Sequence, residues 1–428
     1  MSGTLPTDPK TPEDVNFLDA DVQDCPYQAY QVLRDQAPVY HDPHTGQYVI
    51  TRFEDLREVL LDAENFGNGG RRDADADARP ELGERQQRML AVYEEKGWLP
   101  QPTLAARNDP NHRQMRNMFD KAFSPGKIKQ LDPFVEDVAN RLVDAFIEDG
   151  HCDWVRQFSV PLPLIVIGQQ MGVKEEDIWL IKRATDAYVR RVSQMLSEEE
   201  ELECVELDIE SQHYFHPIFE RLRSEPEDTL LSDLVNTEIP EWGRTLTDSE
   251  LQAEMMADTF VGGSETSTNA ISEGVKILIE RPDVWAQLKS DPDQYVRVFV
   301  EEVLRLESPV QTLGRVALND VTLHGVTIPA GASVATRYAA ANRDERRFEH
   351  PAEVDLDRKN PMAHLTFGAG THHCLGAPLA RRELYYSFRI LADRVDEMWF
   401  APGKNDFKHE PHIYLRALKE LHIEFRRA

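Results

Sequence analysis

HLTFGAGTHHCLGAPLARRE, residues 364–383, is the most informative stretch of the chain. Gly368 and Gly370 permit a tight turn and a close backbone approach. Cys374 then stands just ahead of a helix that starts near Leu375, where the helix dipole and free amides stabilise a thiolate. Such a place can hold a metal, although a cysteine beside glycines also suits a small core position. A zinc site built on His372, His373 and Cys374 lacks partners, because adjacent side chains diverge and no second Cys/His cluster offers the usual ligand spacing.

Outward from that stretch, the 428 residues are 41% hydrophobic and 29% charged, enough for a large core and without a disorder signature. The formal net charge of -28 argues against wholesale binding to nucleic acid or an anionic membrane, while leaving room for local basic patches. The four cysteines, Cys25, Cys152, Cys204 and Cys374, are too sparse for a disulfide framework and suit a reducing cytoplasm. The N-terminus lacks a basic region followed by an apolar one, and no run approaches the ~18 apolar residues of a membrane span. A soluble, cytoplasmic protein is expected.

Along the chain, PYQAYQVLRDQ predicts a helix from Pro26, PVYH and QYVITRF a hairpin, and FEDLREVLLDAENF another helix. Gly67 to Asn108 reads as a long, partly helical excursion containing a mixed-charge run from Arg71 to Arg79. Helical periodicity then runs from Asp109 to about Pro309, with expected breaks at Ser124-Pro-Gly, at PLPLIVIGQQMGV (161–173) and at Arg281-Pro-Asp. The acidic run SEEEELECVELDIE (197–210) reads as a solvated helix face and turn. AEMMADTFVGGSETSTNAISEGVKILIE reads as one long helix, with Gly262-Gly263 near its centre and Thr266 placed to bond the Gly262 carbonyl and kink it. Short strands follow Pro309, then a last helix and terminal strands around HIYLRALKELHIEF. The expectation is a mainly α, smaller-β (α+β) unit forming a single domain over 1–428, with an N-terminal extension at about 1–20.

The pattern FGxGxHxCLG, Phe367 to Gly376, resembles the haem-binding loop of the bacterial-type soluble cytochrome P-450 monooxygenases. The resemblance spans nearly the whole chain, and it implies the family's triangular, helix-rich prism with haem b between the Gly262 helix and the Cys374 loop. It makes Cys374 the axial iron ligand, with Phe367 packed against it, His372 reaching a propionate and Gly262 and Gly376 beside the cofactor. An anionic sulfur pushes electron density onto iron, which suits that role. Glu302 and Arg305, three apart on one helix face, look like the family's structural Glu-x-x-Arg pair, with Arg358 as its third member. His112 and Arg116, four apart, match its propionate-binding His-x-x-x-Arg pair, and Arg315 its propionate-binding arginine. Gly262-Gly263-Ser264-Glu265-Thr266 resembles the oxygen-activating motif, in which Glu265 and Thr266 support proton delivery; the family more often has alanine at the first position.

The implied function is insertion of one atom of dioxygen into a small molecule by hydroxylation or epoxidation. A haem-thiolate gas or redox sensor would not need Glu265 and Thr266, and a peroxide-driven peroxygenase commonly alters them. Electrons must come from another polypeptide, because no flavin domain or iron–sulfur cysteine cluster remains. The basic residues Arg113, Lys121, Lys127, Lys129, Arg381 and Arg382 suggest an acidic ferredoxin, itself fed by a ferredoxin reductase and NAD(P)H. By position, Trp98, Leu99, Leu104, Phe260, Val261, Val310, Leu313, Ile413 and Tyr414 form a mostly apolar pocket, with Tyr414 or Thr312 giving one hydrogen bond. The expected substrate is lipophilic, such as a terpenoid, steroid or fatty-acid-like molecule, and the expected assembly is a monomer.

Overall fold

A computed structural model describes residues 9–68, 82–193 and 196–428; the Arg71–Arg79 run lies outside the described residues. The expected first elements are present. Helix α1 (Tyr27–Gln36) is followed by the antiparallel pair β1 (Val39–His41) and β2 (Tyr48–Ile50). Helix α2 (Phe53–Leu61) buries Phe53, Leu56, Val59 and Leu60, one stripe at helical spacing. The other strands are β3 (Phe66–Gly67), β4 (His151–Asp153), β5 (Thr312–Ala317), β6 (Val321–Leu323), β7 (Val326–Ile328), β8 (Ser333–Arg337), β9 (Val395–Phe400) and β10 (His422–Arg427). The largest sheet has the order β1-β2-β8-β5-β3, with β2 and β8 parallel and the other pairs antiparallel.

The helical body comprises α3 (Glu84–Lys96), α4 (Asn111–Ala122), α5 (Asp132–Asp144), α6 (Pro161–Gln170), α7 (Ile178–Ser193), α8 (Glu198–Ser224), α9 (Thr266–Glu280), α10 (Pro292–Glu307) and α11 (Ala377–Arg394), among shorter turns. One apolar cluster draws on residues from Leu104 to Phe425, including Val138, Phe158, Phe299 and Phe388. Gly274 of α9 is what lets α11 approach, since a Cβ there would lie 2.3 Å from the Phe388 ring.

Three local expectations are corrected and one is extended. The break expected across PLPLIVIGQQMGV falls only at Met171–Gly172, where Gly172 is left-handed (φ 70°); PLPLIVIGQQ itself is the buried helix α6, with Pro161 and Pro163 in its first turn, where no amide hydrogen is used within the helix. The acidic run is the solvated helix face expected, with Glu198, Glu199, Glu200, Glu203, Glu206 and Glu210 exposed, and it does two further things. Ser197 and Glu200 form a capping box that starts α8 (Glu200 N–H to Ser197 Oγ 3.2 Å, Ser197 N–H to Glu200 Oε2 2.7 Å). Its acids also meet the bases of α3, with Arg88 Nε 2.6 Å from Glu198, Lys96 Nζ 3.1 Å from Glu206, and Arg85 paired with Glu201. The long glycine-containing helix is divided, since Glu254–Glu265 winds as a wide π-helix before α9 begins at Thr266. Of the terminal strands only β10 forms; His409 and Leu415 reach Leu418 and Val310 through isolated bridges.

Among the described residues no helix is long and apolar enough to cross a membrane.

Candidate active site

The loop before α11 turns at Gly368 and Gly370, whose φ angles of 70° and 73° are the left-handed values that favour glycine. Gly370 has a second reason: a Cβ there would lie 2.7 Å from the Leu60 carbonyl of α2. The Cys374 amide donates to the Phe367 carbonyl (2.8 Å), closing the loop. The Gly376 and Ala377 amides, at the start of α11, point at the Cys374 sulfur. Burial pushes its thiol up, while those amides and the nearby Arg116 and Arg381 act in the opposite direction. Phe367 carries the Arg381 guanidinium 4.5 Å above its ring.

Beside the loop, His112 of α4 and His372 stack with ring centroids 3.9 Å apart. His112 is 2% exposed, and its Nε2 has no hydrogen-bond partner among the described residues. Burial, with His112 and the positive charge of Arg315 nearby, pushes His372 down to about 3, so its ring is neutral at pH 7. Arg315 on β5 is buried and donates to the Gly314 carbonyl (2.8 Å). Arg116 donates to the His373 carbonyl (2.9 Å) and pairs with Asp120 (2.8 Å), tying α4 to the cysteine loop. With Asp109 3.5 Å from its other nitrogen, the buried His112 Nε2, lying near Arg315 and Arg116, fits an anionic group, and amides aimed at a sulfur fit a thiolate. The residues present therefore suit a haem, with its carboxylates beside His112 and its iron beside Cys374.

On the π-helical stretch, the Thr266 hydroxyl donates to the Gly262 carbonyl (3.0 Å), as its spacing predicts, and Ser264 donates to the Phe260 carbonyl (2.6 Å). Glu265 turns toward α7. It accepts from Lys182 Nζ at 3.1 and 3.3 Å and from the Thr185 hydroxyl at 3.1 Å. Burial would lower the Lys182 ammonium, but the Glu265 and Asp186 carboxylates hold it above its ordinary value.

Two further carboxylates anchor the excursion: Glu254 accepts from the Leu104 amide (2.7 Å) and Asp258 from the Ala105 amide (2.8 Å). Burial raises both acids. None of Lys182, Thr185, Glu254 and Asp258 carries a sequence signal, since each bond spans 80 residues or more. Of the expected pocket residues, Trp98 packs on His216 and His213 of α8 (4.7 and 5.4 Å), Leu99 joins a small cluster with Met89, Tyr93, Val205 and Ile209, and Phe260 is enclosed against Phe215 (5.5 Å). Leu104 is buried, whereas Val261, Val310, Leu313, Ile413 and Tyr414 keep open surface. Thr312 is buried, with a hydroxyl that has no partner among the described residues.

Below the loop, Glu302 accepts from both Arg305 arms (2.8 and 2.9 Å), from Arg358 Nε (2.7 Å) and from the Asp355 amide (3.0 Å). Arg305 also donates to the carbonyls of Asn342, Pro351 and Glu353. Burial alone would raise Glu302, yet the two guanidinium groups hold it below the usual carboxylate range.

The family model described as Cytochrome P450 matches residues 155–391, more than half of the chain. The chain belongs to the cytochrome P450 family. Cytochrome P450 109 of Bacillus spizizenii is 32% identical over 84% of this chain and 81% of its own length. The steroid C26-monooxygenase of Mycobacterium tuberculosis is 29% identical over 93% of each. Among solved structures, CYP109E1 from Bacillus megaterium in complex with testosterone superposes with a TM-score of 0.80 at 30% identity, over 95% of this chain and 99% of that one. As a cytochrome P450, the protein is a haem-thiolate monooxygenase with the family's fold, mainly α with a smaller β part.

Proposed function

We propose that this cytochrome P450 is a single domain which inserts one atom of dioxygen into a lipophilic, singly polar small molecule, with haem b held through Cys374. The observation that carries the reading is the pairing of an amide-lined Cys374 sulfur with a Thr266 hydroxyl bonded to the Gly262 carbonyl. When bound, the haem-thiolate supplies activation of dioxygen. The chain's residues supply the rest. His112, His372, Arg315 and Arg116 receive the two carboxylates of the group, while Phe367, Gly376 and Gly262 border it. Glu302, Arg305 and Arg358 hold the backbone that leads into the loop. Thr266 opens the helix at Gly262 and presents a hydroxyl that can pass a proton, and Glu265, the adjoining residue, is its acidic source. The names of the steroid-oxidising and testosterone-bound relatives support a lipophilic substrate.

Electron supply by an acidic ferredoxin, with its reductase and NAD(P)H, is part of the proposal, as is a monomer in the cytoplasm. Four of the six candidate docking bases are engaged within the chain: Arg113 with Asp109, Lys127 with Asp233, Arg381 with Glu301 and Arg382 with Asp132. Among the described residues, Lys121 and Lys129 have no salt bridge and are the freer charges. Reversing both to Glu is expected to slow ferredoxin-dependent reduction most at low salt.

Reduced, carbon-monoxide-bound protein is expected to show the red-shifted Soret band of thiolate ligation, and Cys374→Ala to abolish it; an unchanged band in that variant would overturn the assignment. Thr266→Ala is expected to retain haem and ligand binding while lowering product formed per NAD(P)H consumed several-fold, the remainder appearing as hydrogen peroxide. A ratio equal to that of the parent would remove Thr266 from proton delivery. A screen of steroids, terpenoids and fatty acids for the ferric Soret shift tests the substrate class, and tightest binding by a multiply charged compound would defeat it.

A further inference from the structure

Glu301 and Glu302 are neighbours on α10, and consecutive helical residues point about 100° apart. Glu302 faces the segment before the cysteine loop. Glu301 faces helix α11, beyond the loop, and takes Arg381 in a two-pronged pair (Nε to Oε1 2.7 Å, Nη2 to Oε2 3.1 Å). It also takes His364 Nε2 at 2.9 Å, while the Thr366 amide donates to His364 Nδ1 at 3.3 Å. That second bond fixes the tautomer: Nδ1 accepts, so Nε2 carries the hydrogen given to Glu301. Burial holds His364 below its ordinary value, leaving a neutral ring that donates without adding charge. Burial would raise Glu301, but His364 and Arg381 hold it ionised, below its ordinary value. Both His364 and Glu301 are buried.

Arg381 in turn lies 4.5 Å over the ring of Phe367, the residue whose carbonyl accepts the Cys374 amide at 2.8 Å. A cation on the residue that closes the loop withdraws electron density from a thiolate there, and its carboxylate partner returns part of it. We propose that Glu301, locked by His364, is a positioning residue that meters the Arg381 charge at Cys374 and so sets the reduction potential of the haem-thiolate centre. The inference rests on ligation by Cys374. It gives the two adjacent glutamates separate work: Glu302 shapes the approach to the loop, and Glu301 adjusts the field on its sulfur. Arg381 thereby serves the sulfur first and a docking partner only secondarily.

The test is redox titration of the haem-loaded protein, with the reduced carbon-monoxide spectrum recorded for each form. Glu301→Gln removes a negative charge and leaves a hydrogen-bonding group of the same shape, so the midpoint potential should rise. Arg381→Gln should make it fall, Arg381→Lys should leave it near that of the parent, and the double variant Glu301→Gln/Arg381→Gln should bring it back toward the parent. A purely structural role moves single variants in the same direction or not at all, and either result overturns the proposal. If Glu301→Gln takes up no haem, the sign of the Arg381→Gln shift decides alone, and a potential that does not fall overturns it. A parent lacking the thiolate Soret band would instead refute ligation by Cys374, and this inference with it.

Discussion

Glu302 shares its two oxygens among Arg305, Arg358 and a backbone amide, with both members of the Glu302–Arg305 pair fully enclosed. Helix α3, by contrast, packs Met89 and Tyr93 on Val205 and Ile209 of α8, and the charged pairs it adds to that contact stand in solvent: Arg88 with Glu198 and Lys96 with Glu206, each side chain about half exposed. Desolvated, multiply bonded charges admit one arrangement, because any other strands a charge. Solvated pairs trade partners with water at little cost. The cytochrome P450 thus fixes the approach to its cysteine loop by desolvated charge, and holds α3 by apolar packing to which the exposed pairs add little.

The largest effect expected from breaking this contrast comes from Arg305→Met. It leaves Glu302 with Arg358 and the Asp355 amide, one guanidinium short, and the carbonyls of Asn342, Pro351 and Glu353 without their donor. Urea denaturation should show a loss of about 3–5 kcal/mol, accompanied by reduced haem content. A loss below about 1 kcal/mol would mean that the network is a bystander.

The fixed side contains one exception. Glu383 of α11 is fully buried beside the Ser267 hydroxyl, and burial pushes its carboxyl up to about 8. The folded protein therefore holds a proton there that the unfolded chain releases above its ordinary value of 4.5. Stability contributed at this position is complete below pH 4.5 and is lost as the pH rises through about 8. Glu383→Gln should flatten the stability profile between those values by up to about 1.4 kcal/mol per pH unit, read from urea midpoints across the range. Equal slopes in parent and variant would show that Glu383 is already ionised in the folded state.

Legibility in the sequence divides along the same line. The cysteine loop, the Glu302–Arg305 pair and the Thr266–Gly262 bond are legible because each is local: a glycine turn, a three-residue spacing, a four-residue back-bond. Arg358 is reached only through resemblance, its partner lying 56 residues away. Lys182, which holds Glu265, and the carboxylates Glu254 and Asp258, which hold the excursion, leave no trace, since an acid on a helix looks alike whether water or a distant amide meets it. The prolines of α6 mislead for a physical reason: proline breaks a helix interior but is well suited to a first turn. The acidic run is legible as a solvated helix face, while its counter-charges Arg85, Arg88 and Lys96 are not, because they lie on a separate helix.

The smallest effect expected is also the one that sharpens the contrast most. Arg88→Gln and Lys96→Gln each remove an exposed pair worth about 0.3–0.5 kcal/mol, so neither should move the urea midpoint beyond error. If α3 must lift for a ligand to enter, the same small energy acts on the population of the lifted form, multiplying it on the order of twofold per pair. Stopped-flow recording of the Soret shift should then show association accelerating by about that factor in each variant, and in the parent as salt screens the pairs. The Glu302 network, being desolvated, should leave haem retention unchanged over the same salt range. Association rates indifferent to both substitutions and to salt would mean that α3 does not gate entry, and that its ion pairs serve solubility alone.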